Sequence, residues 1–218
     1  MSNDEGETIG DITRSVETWD LDLMRKSIKK ALHDGIDPEI IISQGIAKGM
    51  ESISRRFNDG EIFLPQVLAA SKVIESAMEI IKPELNSNGD IYRGTVVMGT
   101  VQGDIHEIGK SVCCAMLRGA GYRVIDLGPN VSPEMFVKAA EKYSADVIGG
   151  SALMTTTLMS QKYVVKAFKD ADSPVLLVFG GAPCSHEWVD EIGGDGYSSS
   201  GSEIVSLVNS LLDGSSKN

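Results

Sequence analysis

An aspartate and a histidine two residues apart, Asp104 and His106, are the strongest chemical signal in the sequence. In an extended loop, residues two apart point to the same side, so the carboxylate can accept a hydrogen bond from Nδ1 of the imidazole. Nε2 then keeps a free lone pair, which is the arrangement typical of a metal-ligating histidine. Gly109 would let the next helix begin close to a ligand. The alternative is a helix N-cap beside a histidine with no ligand.

Two later loops carry hydroxyl-rich or glycine-rich sequences after apolar segments. Residues 151–157 hold four hydroxyl side chains, more than one helix N-cap needs. Gly180 and Gly181 form a pair that would let a flat or bulky ligand lie against the backbone, although an ordinary strand-to-helix turn also favours glycine. Each loop is weak evidence alone. Together with the first loop they predict a pocket with His106 at its mouth.

The second half of the chain supplies the elements that such loops need. Apolar segments alternate with helical patterns of about ten residues, which is typical of a parallel, doubly wound sheet. Strands are predicted at residues 95–101, 122–127, 146–150, 174–179 and near 196–197, and helices at 109–119, 133–143, 158–169, 185–192 and 202–212. Five strands favour a flavodoxin-like or Rossmann-like order, in which ligands bind at the carboxyl ends of the strands.

The first half has a different pattern. Apolar residues recur at helical spacing from residue 16 to about residue 82, which predicts a bundle of three or four helices. Residues 1–14 are acidic and polar, and we expect them to form a disordered lead-in. The predicted organisation is therefore a helical cap domain at residues 15–85, a linker at residues 86–93 and a sheet domain at residues 94–218.

Charge and composition disfavour several classes of function. The 20 Lys and Arg residues and the 31 Asp and Glu residues give a net charge of -11, which opposes general binding to nucleic acids or anionic membranes. No apolar run approaches the roughly 20 residues of a membrane span. The 3 cysteines cannot close a disulfide framework, so we expect a reduced, cytoplasmic protein. The role of the vicinal pair Cys113 and Cys114 stays open.

Four separated motifs resemble those of cobalamin-binding proteins of the methyltransferase type. They are DxHxxG, SxL, GG and GEIFLPQ, at residues 104–109, 151–153, 180–181 and 60–66. The first three follow the order and spacing of the cobalamin module of methionine synthase, and the fourth is similar to the helical cap that precedes that module. Residues 151–157 and 180–183 are most similar to the corrinoid proteins of methylamine, methanol and O-demethylase systems. The resemblance spans residues 16–213.

The resemblance implies a cofactor and a catalytic group. The cofactor is cobalamin or a related corrinoid, which alternates between cob(I)alamin and methylcob(III)alamin. The corrinoid loses its own lower base, and His106 binds cobalt in its place. Asp104 holds His106, and Thr157 matches the position that holds the aspartate. Serine is common at that position, so threonine is a departure from the family pattern.

The resemblance also implies which residues contact the cofactor. Ser151 and Leu153 would line a slot for the displaced nucleotide tail, with the glycine pair on its other wall. In the cap, Phe63 or Leu64 would cover the upper face of cobalt together with Val67, unless this segment is only a hydrophobic staple within the bundle. The implied cofactor-binding residues are Gly103, Asp104, Ile105, His106, Gly109, Ser151, Leu153, Thr155, Thr157, Gly180, Gly181, Phe63, Leu64 and Val67.

The function implied by the resemblance is that of a methyl carrier. Such a protein accepts a methyl group on cobalt(I) from a substrate-specific methyltransferase and passes it to an acceptor methyltransferase, and a reductive activase is a further partner. The chain would be a methyl-carrying subunit and not a complete enzyme. The sequence does not name the methyl donor, for which methylamines, betaines, methanol and aryl methyl ethers are the candidates.

Two other functions share the loop motifs. The first is the small subunit of an adenosylcobalamin-dependent mutase, but such subunits generally lack a helical cap. The second is a cobalamin-sensing transcription regulator. That would need a basic helix-turn-helix ahead of the cap, which residues 1–15 are too few to form.

Overall fold

The computed structural model describes residues 3–84, 92–201 and 203–215. The described residues form two compact units. A helical unit contains those up to Arg93 together with Arg118–Gly121, and a sheet unit contains Gly94–Leu117 and those from Tyr122 onwards. Most of the predicted linker, residues 86–91, lies outside the described residues. None of the helices described in either unit has the length and apolar character needed to cross a membrane.

The helical unit contains no strand among its described residues. Its elements are α1 (Asn3–Glu17), α2 (Leu21–His33), α3 (Pro38–Ile40), a π-helical segment (Ile41–Ile46), α4 (Ala47–Asn58), α5 (Leu64–Ile81) and a 3₁₀ turn (Lys82–Glu84). α3, the π-helical segment and α4 follow one another without a break. The side chain of Asp37 caps the start of α3 by accepting a hydrogen bond from the backbone N–H of Glu39 at 2.8 Å.

Helix α1 corrects the prediction that residues 1–14 are a disordered lead-in. Ile12 and Val16 are fully buried and Ile9 is nearly so, at the helical spacings of three and four residues. Gly49 of α4 allows close packing against α1, because a Cβ at this position would lie 2.7 Å from Cβ of Val16. The acidic composition of the segment led to the prediction of disorder, although its short stripe of apolar residues is sufficient for an amphipathic helix.

The sheet unit confirms the predicted fold class, a doubly wound parallel sheet of five strands. Its elements are β1 (Thr95–Thr100), α6 (Ile108–Gly119), β2 (Arg123–Asp126), α7 (Pro133–Tyr143), β3 (Val147–Ser151), α8 (Thr155–Asp170), β4 (Leu176–Gly180), α9 (His186–Ile192), β5 (Gly196–Ser198) and α10 (Glu203–Ser215). The strand order is β2-β1-β3-β4-β5, which is the flavodoxin-like order. α8 begins three residues earlier than predicted, because the threonines form its first turn.

The register of the sheet aligns the carboxyl ends of four strands. Thr100 of β1 pairs with Ser151 of β3, which pairs with Gly180 of β4, which pairs with Ser198 of β5. The loops that follow these strands therefore start from one line across the sheet. The apolar strand interiors, such as Val97, lie in the core below this line.

We expect Ile12→Ala to lower the free energy of unfolding by about 2–5 kcal/mol, because it removes a fully buried side chain that packs α1 within the helical unit. Urea denaturation followed by circular dichroism would measure the change. Gly10→Ala is the matched control in the same helix. A Cβ at Gly10 meets nothing within 4 Å, so the alanine should stabilise the protein by up to about 1 kcal/mol. Equal stabilities for wild type and Ile12→Ala would contradict the structure of α1.

Candidate functional site

A cavity of about 820 Å³ opens at the carboxyl edge of the sheet. It lies within the sheet unit, where α/β proteins of this strand order bind ligands. Seven of the predicted cofactor-binding residues line it: Ile105, His106, Gly109, Ser151, Leu153, Gly180 and Gly181. The three loops singled out in the sequence therefore meet at one cavity.

Asp104 is buried at this edge of the sheet and accepts hydrogen bonds from two segments of the chain. Its side chain is fully buried, and each carboxylate oxygen has its own set of donors. Oδ1 lies 2.7 Å from Nδ1 of His106 and accepts the backbone N–H of the same residue at 3.0 Å. Oδ2 accepts the Thr157 hydroxyl at 2.6 Å and the backbone N–H groups of Leu153 and Met154 at 2.8 and 3.3 Å. The carboxylate thus joins the loop after β1 to the start of α8.

The hydrogen bonds determine the charge of Asp104. Burial raises the pKa of this carboxyl, because it disfavours the charged form. The hydrogen bonds from Thr157, His106 and Leu153 act in the opposite direction and prevail, so that the pKa lies well below its usual range. Asp104 is therefore an ionised acceptor at neutral pH.

An ionised acceptor beside Nδ1 places the proton of a neutral imidazole on Nδ1 and leaves the lone pair on Nε2. The side chain of His106 is 44% exposed and lines the cavity, so this lone pair is available to a ligand. The Thr100 hydroxyl also donates to the backbone carbonyl of His106 at 3.0 Å, which fixes the loop. His106 therefore fits a metal centre to which the protein supplies one nitrogen ligand and whose cofactor supplies the others.

The loops after β3 and β4 lie side by side at this cavity. Gly181 has φ +124°, and a Cβ there would lie 1.7 Å from the carbonyl oxygen of Ala152, so only glycine fits. The backbone N–H of Ala152 donates to the carbonyl of Gly180 at 3.1 Å. Ser151 and Leu153 of the first loop and the glycine pair of the second all line the cavity.

The remaining predicted site residues are placed differently. Asp104 and Thr157 are buried and orient His106 without lining the cavity. Gly103 supplies a turn of φ +86°, and its N–H donates to Oδ1 of Asn130 at 2.8 Å. Thr155 is exposed in the first turn of α8 and does not line the cavity.

The predicted contacts in the cap belong to the helical unit. Phe63 is 67% exposed, Leu64 is partly buried at the start of α5, and Val67 is fully buried. Their contact with the cofactor stays a prediction.

Lys110 is a site residue that the sequence did not indicate. It lies in the first turn of α6 and lines the cavity, yet it is almost completely buried. Its ammonium group pairs with Asp126 at the end of β2 and with Glu107 at 3.1 Å. A buried ion needs such partners, and these two link the His106 loop to β2. A lysine at a helix start is typical of the surface, so only the fold identifies this one.

Cys113 and the loop after β5 also line the cavity without having been predicted there. Burial raises the pKa of the Cys113 thiol to about 11, so it stays protonated at neutral pH. Ser198, the last residue of the fifth strand, and the loop residues up to Gly201 lie at the same edge. The rule that identified the other loops would also have identified this one.

Comparisons with known proteins agree with this geometry. Two protein families, both described as a B12 binding domain, match residues 94–205 and residues 8–82. Trimethylamine corrinoid protein 1 of Methanosarcina acetivorans is 39% identical over 210 residues, which are 94% of this chain and 97% of that protein.

Two solved structures are similar over nearly the whole chain. A chain of the methanol:cobalamin methyltransferase complex of Methanosarcina barkeri matches with a TM-score of 0.84 and 28% identity. The match covers 95% of this chain and 80% of the matched chain. The monomethylamine corrinoid protein of the same organism matches with a TM-score of 0.52 and 31% identity, covering 94% and 99%. The chain therefore belongs to the family of corrinoid proteins with B12 binding domains, and its cofactor is a corrinoid.

Proposed function

We propose that the protein is a methyl carrier. It binds a corrinoid with the lower base displaced, accepts a methyl group from a substrate-specific methyltransferase and passes it to an acceptor methyltransferase. The observation that carries the proposal is the Asp104 carboxylate, both oxygens of which accept hydrogen bonds. It holds Nδ1 of His106 at 2.7 Å and leaves Nε2 free toward the cavity. When bound, the corrinoid supplies a cobalt centre that can take up and release a methyl group.

The residues of the chain would orient the cofactor and hold a proton on the imidazole of His106. His106 Nε2 would bind the metal, and Asp104, itself held by Thr157, keeps the ring in the tautomer that leaves the Nε2 lone pair free. When Nε2 is not bound to the metal, it can hold a proton, and the Asp104 carboxylate then stabilises the imidazolium. Ser151, Leu153 and the glycine pair form the slot for the nucleotide tail.

The names of the relatives support the choice of partners. The chain is similar to trimethylamine and dimethylamine corrinoid proteins, so a methylamine is the proposed methyl donor and a methylamine methyltransferase the proposed first partner. The similar chain of the methanol:cobalamin methyltransferase complex supports direct association with such an enzyme. A reductive activase and a cytoplasmic location remain predictions from the resemblance and from the cysteine content.

The cap would protect the reactive face of the cofactor. Phe63 or Leu64, with Val67 one turn further along α5, is proposed to cover the upper face of cobalt; because Val67 is fully buried, it would support this surface from within the helical unit. The support is that Phe63 leaves two thirds of its surface outside the packed helices, which is unusual for a phenylalanine that serves only as a staple. The cap would have to move aside when a partner delivers or removes methyl.

Methyl transfer tests the function directly. The chain is loaded with hydroxocobalamin, reduced, and mixed with the methyltransferase that co-purifies with it and with trimethylamine. We expect the absorption spectrum of the corrinoid to change only when enzyme and amine are both present. Dimethylamine, monomethylamine and methanol are the alternative donors in parallel reactions. A spectrum that stays constant with every donor would contradict the methyl-carrier function.

Electron paramagnetic resonance of the cobalt(II) form tests the axial ligand. The wild type should show coupling to one histidine nitrogen, and His106→Ala should lose it while keeping corrinoid. His186→Ala is the control, because His186 lies in the same unit and packs on Tyr197 with the ring centroids 5.2 Å apart. Coupling that persists in His106→Ala would show that another group is the ligand.

Asp104→Asn extends the same experiment. The amide oxygen would turn toward the three donors at Oδ2, so its NH₂ group would face Nδ1 and move the ring proton to Nε2. We expect bound corrinoid with weaker histidine coupling and a shifted reduction potential. Asp146→Asn is the matched control, since Asp146 accepts the backbone N–H of Thr95 at the opposite edge of the sheet.

Phe63→Ala tests the protective role of the cap. Because the side chain is mostly exposed, we expect the free energy of unfolding to change by about 1 kcal/mol or less and the corrinoid affinity to stay nearly constant. Oxidation of the reduced cofactor, followed by absorption in air-saturated buffer, should be faster. Leu68→Ala, a partly exposed position of α5, is the control. An unchanged oxidation rate together with an unfolded helical unit would identify Phe63 as a staple.

A further inference from the structure

Gln161 of α8 is fully buried and does not line the cavity, but it contacts the ends of two strands whose following loops do. Its side-chain Nε2 donates to the carbonyl oxygen of Gly150 at 3.1 Å and to that of Gly180 at 3.0 Å. Gly150 and Gly180 lie at the carboxyl ends of two neighbouring strands, β3 and β4. One amide group therefore joins the two strand ends from which the loops at the cavity begin.

The oxygen of the same amide is also fully used. Oε1 accepts the indole N–H of Trp188 at 2.9 Å and faces the Sγ atom of Cys184 at 3.5 Å. Both residues belong to the segment that runs from the glycine pair into α9. An amide has two donor hydrogens and an oxygen with two acceptor sites, and all four are engaged here. No other side chain of this size offers the same set.

These four contacts hold the β3–β4 side of the cavity in shape. Ser151 follows Gly150 and Gly181 follows Gly180, and all four residues line the cavity. The two loops are tightly packed at Gly181, where a Cβ would lie 1.7 Å from the carbonyl oxygen of Ala152, so a shift of either strand end has no free volume to absorb it. Backbone hydrogen bonds pair the two strands with each other, and the amide of Gln161 adds contacts that hold both strand ends to α8 and α9.

We infer that Gln161 is a positioning residue that holds the β3–β4 side of the slot for the nucleotide tail in shape and thereby favours corrinoids that carry this tail. The inference rests on the proposed function, which assigns the tail to this slot. Gln161 acts through the backbone of the two strand ends and does not itself line the cavity. His106 lies on the loop after β1, outside the four contacts, so binding of the corrin ring does not depend on Gln161.

The test compares two ligands, hydroxocobalamin and cobinamide, which has the same corrin ring without the nucleotide tail. Dissociation constants are measured by absorption titration for the wild type and for Gln161→Leu, which keeps the approximate volume and removes all four contacts. We expect the affinity for hydroxocobalamin to fall by about tenfold or more and the affinity for cobinamide to change by less than about twofold. The cobinamide value also reports that the variant is folded.

Two further variants provide a control and a second test of the role of Gln161. Tyr122→Phe is the matched control, because it removes another buried hydrogen bond of the sheet unit, to Asn209 at 2.5 Å. It should leave the ratio of the two affinities unchanged. Trp188→Phe removes one of the four contacts and should reproduce the pattern of Gln161→Leu on a smaller scale. If Gln161→Leu does not fold, the Trp188→Phe ratio decides.

The possible outcomes separate the inference from the proposed function. Equal losses for both ligands in Gln161→Leu, or no loss for either, would overturn the role of Gln161. A wild-type protein that binds cobinamide as tightly as hydroxocobalamin would instead overturn the assignment of the tail to the slot. A wild-type preference for hydroxocobalamin that Gln161→Leu loses and Tyr122→Phe keeps would support both.

Discussion

The carboxylate of Asp104 is a full charge enclosed by the protein, and the geometry of the site follows from the need to satisfy it. An enclosed carboxylate is tolerated only when hydrogen bonds replace the lost water. Here the donors come from two separate stretches of chain: His106 in its own loop, and Leu153, Met154 and Thr157 some fifty residues later. Satisfying the charge therefore brings these stretches together and orients the imidazole at the same time.

The sheet topology makes this convergence feasible. β1 and β3 are neighbours, and their last residues are in register, so the loop after β1 and the first turn of α8 begin side by side. Ion pairs of the buried Lys110 join the same loop to β2, and the amide of Gln161 joins β3 to β4. Buried polar groups thus connect four strands in succession along the edge that carries the cavity.

The sequence was sufficient for the fold class and for the residues whose partners lie nearby in the chain or in a recognised motif. Asp104 and His106 were identified from spacing alone, and Thr157 from resemblance. The helix α1 was missed because acidic composition outweighed three apolar residues whose burial depends on other helices. Lys110 and Gln161 were missed because the fold is needed to bring Asp126 to the first and the Gly150 and Gly180 carbonyls to the second, and an isolated lysine or glutamine on a helix is typical of a solvent-exposed face.

The protonated thiol of Cys113 has a consequence for a protein that carries a transferable methyl group. Under the proposed function the methyl group is an electrophile, and a thiolate in the same cavity would be an acceptor that competes with methyl transfer. Burial raises the pKa of this thiol to about 11, so it is almost entirely protonated at neutral pH. A cysteine can therefore line the cavity without offering a nucleophilic thiolate to the methyl group.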